Sequence, residues 1–85
     1  MYKVEWEDKA KEDLAKLDRV IAKKITKKVE NYLAKDPIKR GKPLVGNLKG
    51  SYRYRFSDYR VIYQIKQLKL IITIVEVGNR REIYQ

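Results

Sequence analysis

The 85-residue chain contains no cysteine and no histidine. The first absence excludes a disulfide framework and cysteine-based metal sites. The second removes the usual general acid/base at neutral pH and the commonest metal ligand, so any catalysis falls to other groups. Phenylalanine and tryptophan occur once each against seven tyrosines, an aromatic set suited to positions that are part buried and part wet. Glycines number four and prolines two, and all but Gly78 fall between positions 37 and 50. No apolar stretch is long enough to span a bilayer, and the opening MYKVEWEDKA lacks the apolar run of a signal peptide. A cytoplasmic protein with no membrane partner is expected. The length suits one domain, residues 1–85, without a second lobe to hold a cofactor. Neither a metal nor an organic cofactor is expected.

What the chain has in excess is positive charge. Lys and Arg total 21 against 11 Asp and Glu, a formal net charge of +10 with a pI near 9.9. Such an imbalance on a small domain draws polyanions at long range and makes their binding depend on salt. Hydrophobic residues at 44% are enough for a folded core and too many for a disordered tail.

Tyr2, Val4 and Trp6 alternate with Lys3 and Glu5, the pattern of a short half-buried strand. Glu7 or Asp8 is placed to cap a helix in which Ala10, Leu14 and Leu17 recur at helical spacing. Asp18 stands as the N-cap of a second helix, with Ala22, Ile25, Val29, Tyr32 and Leu33 on one face. Lys23, Lys24, Lys27, Lys28 and Lys35 occupy much of the rest. Asp36-Pro37 ends this helix, because proline disfavours the helical region for the residue before it. An ordered loop over 37–50 follows, then strand-like runs at 51–56, 59–66 and 69–77. The last run is almost uninterrupted Leu, Ile and Val, as in a central strand covered on both faces. The fold expected is α+β: an N-terminal strand, a two-helix hairpin, then a three-strand antiparallel meander. Together the strands make one antiparallel sheet with the helices on one face.

Taking Ser57-Asp58 as a two-residue turn, Phe56 faces Tyr59, Arg55 faces Arg60, Tyr54 faces Val61 and Arg53 faces Ile62. Tyr52, Tyr54, Phe56, Tyr59, Val61 and Tyr63 then share the face under the helices, and Arg53, Arg55 and Arg60 share the other. Two arginines directly opposite each other cost a sheet up to about 1 kcal/mol, a cost that a phosphate gripped between the guanidiniums reverses. A register slip of one residue would send the arginines to the wrong face. Gly78 permits a sharp turn returning Arg80 and Tyr84 over the arginine face.

The run Tyr52-Arg53-Tyr54-Arg55-Phe56, then Tyr59-Arg60-Val61-Ile62-Tyr63, then Val77-Gly78-Asn79-Arg80-Arg81-Glu82-Ile83-Tyr84 resembles the RelE toxins of the RelE/ParE superfamily. Lys42-Pro43-Leu44 through Leu48-Lys49-Gly50 and the strand-helix-helix start are similar too. The resemblance covers essentially the whole chain. It implies a RelE-like fold and a type II toxin that enters the ribosomal A site and cuts messenger RNA. It also implies a cognate RelB-like antitoxin, with the ribosome and mRNA as the other partners. By the same resemblance Arg53, Arg55, Arg60, Arg80 and Tyr84 are the catalytic set. Lys49, Lys66, Arg81, Lys24, Lys27 and Lys28 are the RNA-binding candidates. The family often has lysine at the two basic positions of the strand, whereas this chain has Arg53 and Arg55. Arginine does not give up its proton, so the general base falls to Tyr84 or to Lys49 or Lys66. The segment before Tyr84 is compact, which makes Arg81 the alternative to Arg80. Two other functions stay open at this stage: a ParE-like inhibitor of DNA gyrase, and an RNA-binding module that does not cut.

Overall fold

The alternation at the N-terminus yields a four-residue strand, β1 (Lys3–Trp6), in a computed structural model that describes residues 1–79. Helix α1 (Asp8–Ala15) follows at once, with Glu7 at the N-cap position but making no side-chain capping bond. Helix α2 (Arg19–Asn31) starts as expected: the Asp18 carboxylate accepts from Val20 N–H at 3.0 Å and Ile21 N–H at 3.4 Å. Ile25 and Val29 are fully buried along its inner face. The helix ends at Asn31, short of the expected Lys35, because Tyr32 leaves helical geometry at φ −120°. A 3₁₀ turn (Leu33–Lys35) leads to a single helical turn, α3 (Pro37–Arg40), where a loop was expected. Pro37 begins that turn. Its ring presets φ and its missing N–H is one that a helix start leaves unbonded, while Asp36 caps it through Lys39 N–H.

Among the described residues the remaining strands are β2 (Lys42–Pro43), β3 (Tyr52–Phe56), β4 (Tyr59–Lys66) and β5 (Ile71–Asn79). The five form one sheet in the order β1-β5-β4-β3-β2. The meander β3-β4-β5 is antiparallel, but β1 joins β5 in parallel, so the sheet is mixed and not wholly antiparallel. The two-residue β2 was not foreseen. It is an edge strand, the place where a sheet tolerates proline. Strand β5 is interior, as its apolar run implies. Only one of its faces is fully buried, through Ile72, Ile74 and Val77, and the other is half-buried.

An irregularity keeps β5 amphipathic. Ile62 pairs with Glu76 but Tyr63 pairs with Ile74, leaving Val75 as an extra residue. This bulge shifts the alternation by one, so Glu76 leaves the core face and Val77 enters it. Where β1 ends at Trp6, Glu7 N–H still reaches Ile74 O at 3.0 Å. Beyond that point α1 lies along the open edge of β5, and the Asp13 carboxylate accepts from Val77 N–H at 3.0 Å.

The core joins Ala10, Ile25, Val29 and Leu33 from the helical layer to Tyr54, Val61, Tyr63, Ile72, Ile74 and Val77 from the sheet. Tyr63 is its largest fully buried side chain. Its hydroxyl donates to Pro37 O at 2.6 Å, and its ring stacks on Tyr52 with centroids 5.6 Å apart. Burial in this setting raises the phenol pKa far above its ordinary value. A Cβ at Gly41 would overlap the Tyr63 hydroxyl and come within 3.0 Å of Arg53 O, so that position has room only for glycine.

Gly41→Ala is therefore expected to overpack the core at a cost of about 3 kcal/mol. Thermal unfolding followed by circular dichroism should fall by roughly 12–24 °C. Leu70 has the opposite expectation. It holds a left-handed conformation (φ 55°) at the turn into β5 and is half-exposed. Glycine there relieves about 1–2 kcal/mol of strain and loses about 0.5–1 kcal/mol to unfolded-chain freedom. The net gain of up to about 1.5 kcal/mol should raise the Leu70→Gly midpoint by up to roughly 12 °C in the same measurement.

Candidate nucleic-acid interface

The β3–β4 hairpin turns at Ser57-Asp58, with Ser57 at φ 55°. A positive φ at the first turn position is the pattern of a II′ turn, whose twist suits a two-residue hairpin. The register is the one the alternation implies: Phe56 opposite Tyr59, Arg55 opposite Arg60, Tyr54 opposite Val61, Arg53 opposite Ile62. The tyrosine face packs on the helices. Tyr54, Val61 and Tyr63 are buried there, with Tyr52, Phe56 and Tyr59 packed against them. Burying that face directs the arginines to the other side of the sheet.

On that side β2 adds a cation that sequence reasoning missed: Lys42 stands opposite Arg53. Two like-charged cross-strand pairs, Lys42–Arg53 and Arg55–Arg60, thus lie on one face across three strands. The arginines differ in depth. Arg55 is exposed, and its Nε donates to Ser57 O at 3.4 Å. Arg53 is half-buried, and Arg60 retains only 3% of its surface. Arg53 and Arg60 are both engaged in interactions of their own. A shallow cleft of about 210 Å³ runs between Arg40, Gly41, Lys42, Arg53, Tyr54 and Arg55.

A second basic surface meets this one around the edge of the sheet. Lys24, Lys27 and Lys28 recur at helical spacing on α2 and, with Asn31, Tyr32 and Phe56, line a cleft of about 470 Å³. Its floor is aromatic and its rim is cationic, a combination that suits unpaired bases and their phosphates. Tyr32 links the two surfaces. Arg40 lies over its ring at 4.2 Å from the centroid and donates through Nη1 to Tyr32 O at 2.6 Å. Lys28 Nζ stands 5.4 Å from the same centroid, and the ring packs tilted on Tyr54 at 6.0 Å. Burial raises the Tyr54 phenol pKa, with Tyr32 adding to the rise and the nearby Arg40 opposing it.

The structure brings Arg53, Arg55 and Arg60 together, with Lys24, Lys27 and Lys28 around the sheet edge. It does not bring Lys66 to them. Lys66 lies six residues along β4 from Arg60, roughly 20 Å away, beside Glu5, Glu7 and Lys11. Lys49 is exposed and precedes β3 at the end away from the hairpin turn. Arg80, Arg81 and Tyr84 lie outside the described residues. Arg40, Lys42, Tyr32 and Phe56 are contributors that local pattern did not single out. The clue to Lys42 was the one-residue gap between Gly41 and Pro43, which leaves a cation on a short edge. Among the described residues, no group of three or more acidic side chains is placed to hold a metal. No helix among them is long and apolar enough to cross a membrane.

Comparison with known proteins is consistent across the chain. Residues 4–84 match the family described as "ParE toxin of type II toxin-antitoxin system, parDE". Toxin RelG of Mycobacterium tuberculosis is 31% identical over 84 residues, covering 99% of this chain and 97% of that protein. The RelBE2 toxin–antitoxin complex of M. tuberculosis contains a chain with TM-score 0.89 and 30% identity, covering 93% of this chain and 98% of that one. The archaeal RelE–RelB complex of Pyrococcus horikoshii gives TM-score 0.72 at 25% identity, covering 93% and 94%. The chain thus belongs to the RelE/ParE superfamily, the toxins of type II toxin–antitoxin systems.

Proposed function

We propose that this toxin is a metal-independent endoribonuclease that cuts messenger RNA in the ribosomal A site, and that a RelB-like antitoxin silences it. The observation that carries the reading is the pair of like-charged cross-strand pairs, Lys42–Arg53 and Arg55–Arg60. Folding gains nothing from setting cations against each other twice on one sheet face, whereas a phosphodiester does. Relatives named RelG and RelE support the choice of reaction, and solved RelBE complexes support an antitoxin partner.

In the reaction the ribose 2′-oxygen loses its proton to a base and bonds to the adjacent phosphorus. The bond to the 5′-oxygen breaks, and that oxygen takes up a proton, leaving a 2′,3′-cyclic phosphate. Negative charge grows on the phosphorane oxygens as this happens. Fixed guanidiniums stabilise that charge, with Arg55 open to the substrate, Arg53 beside it and Arg60 set behind. Because arginine stays protonated, the base is Tyr84 or, as the second choice, Lys49; Lys66 stands too far along β4 to reach the reacting oxygen. Arg80, or Arg81 in its place, stabilises the transition state or delivers the leaving-group proton through water. Lys24, Lys27 and Lys28 hold RNA outside the reacting centre.

A second reading has its own support, since the matching family description is that of a ParE toxin. In that reading the protein binds and inhibits DNA gyrase without cutting anything. A third, in which the basic face grips RNA without cleavage, follows if binding survives and no new ends form.

Expression of the protein alone in bacterial cells, with 5′ ends mapped on a reporter message, separates these. Wild type should create ends inside translated codons, and these should vanish when translation is blocked. Arg55→Ala and Arg80→Ala should each slow cleavage on purified ribosomes by about 10²–10³-fold while still binding them. Growth arrest without new ends would overturn the nuclease and favour gyrase. Separately, the salt dependence of binding to single-stranded RNA should have a slope near −0.7 per phosphate neutralised. Replacing Lys24, Lys27 and Lys28 together by alanine should flatten that slope by about 2. An unchanged slope would remove the α2 lysines from the interface.

A further inference from the structure

The end of β5 leads in sequence to Arg80, and among the described residues its outer edge has no strand beside it. Pairing with β1 stops at Trp6–Ile74, while β5 continues to Asn79. On its inner side β5 is held by β4, with Gly78 opposite Arg60 and Asn79 opposite Tyr59. On its outer side the Val77 N–H points to the vacated edge. That orientation agrees with an antiparallel ladder in which Val61–Val77 is a pair without mutual backbone bonds. The acceptor it finds is the Asp13 carboxylate, at 3.0 Å from the last turn of α1.

Asp13 is itself held. Its Oδ2 lies 2.9 Å from Lys9 Nζ one helical turn earlier, and Lys9 reaches Glu76 Oε1 at 3.1 Å. The bond that Lys9 donates to Asp13 raises the Lys9 pKa, against the opposing effect of desolvation, and Glu76 adds to the rise. The ion pairs are at the surface, with Lys9 side chain 58% exposed, and contribute little alone. The carboxylate-to-backbone bond is different. It is charge-assisted, and the Asp13 side chain is only 13% exposed. The bulge at Val75 sits two residues before this contact, so without an anchor the bent strand end has one neighbour only.

We propose that Asp13 is a positioning residue: by fixing the Val77 backbone it sets the direction of β5 as it runs past Arg60. The inference rests on the nuclease reading for its functional half and on geometry alone for its structural half. Asp13 touches no substrate. It acts by keeping the strand end within the narrow tolerance that transition-state stabilisation requires, where a displacement of about 1 Å costs on the order of 100-fold in rate.

The test uses the full chain with Asp13→Ala and Asp13→Asn, after circular dichroism establishes that each folds. Asp13→Ala should expose the Val77 amide to hydrogen exchange about tenfold or more faster than in wild type. On ribosomes its cleavage kcat should drop about 10- to 100-fold with KM little changed. Asp13→Asn keeps an oxygen acceptor but loses the charge facing Lys9, and should recover most of the rate. Equal cleavage by wild type and Asp13→Ala would overturn the positioning role. A loss in KM with kcat preserved would overturn it too, since that pattern belongs to binding. If wild type cuts no message, the nuclease reading falls and takes the functional half with it. Unchanged Val77 protection in Asp13→Ala overturns the structural half whatever the protein does.

Discussion

The hydrogen bond from Tyr63 to the Pro37 carbonyl, 2.6 Å long and wholly buried, ties the central strand of the meander to the turn after α2. Much else depends on that ring being where it is. It stacks on Tyr52 of β3, it closes the space above Gly41, and with Val61 it sets the face of β4 that meets Ile25 and Val29. A strand cannot bury one face without committing its other residues to the opposite side. With Tyr63 inside, Arg60 has to be on the far face, and the hairpin register then carries Arg53 and Arg55 there too. The core of this toxin and the layout of its cationic face are one constraint seen from two sides.

Tyrosine, not phenylalanine, suits this constraint. The aromatic set has to line a core in a domain of 85 residues and also reach polar groups at its margins. Tyr63 donates to the Pro37 carbonyl inside the core, while Tyr32 lies between Arg40 and Tyr54 with an exposed edge. The ring of Tyr32 gives Arg40 a surface to lie on, which fixes a guanidinium that would otherwise wave in water. In that way the apolar layer extends its order to the cations around it.

The parts legible in the sequence were those governed by local rules. Asp18 caps α2 because a short carboxylate before an amphipathic run has few other uses. The Ser57-Asp58 hairpin was readable because strict alternation on both sides leaves one register that buries the tyrosines. The parts that were not legible depend on distant chain segments meeting. Nothing near Lys42 announces that it pairs with Arg53, and nothing near Arg40 announces the Tyr32 ring beneath it. The parallel join of β1 to β5 links residues nearly seventy positions apart. Sequence spacing placed Arg60 on the right face but gave no measure of its depth, because burial is decided by what covers a residue and not by its alternation. Arg80, Arg81 and Tyr84 were singled out by resemblance, which reads an ordered set of motifs and not a local rule.

Sheet edges offer a competing explanation for the cations, and it accounts for only some of them. Beyond Arg53 the outer side of β3 has no strand beside it among the described residues, since β2 pairs only with Tyr52 and Arg53. Exposed edges invite pairing between copies, and lysines, arginines and prolines on or near an edge discourage it. Pro43, Lys42 and Arg55 fit that role without any ligand. Arg60 does not. It sits on β4, an interior strand, keeps 3% of its surface, and still stands opposite Arg55. Edge protection gains nothing from a buried cation in the second strand, and burial of a guanidinium is costly unless it is engaged. What a charge in that position can do is reinforce the positive potential at Arg55 from beneath, where salt screens it less than at the surface. Solubility explains the rim of the cationic face, whereas Arg60 at its centre is held by interactions of its own and adds its charge to the potential there.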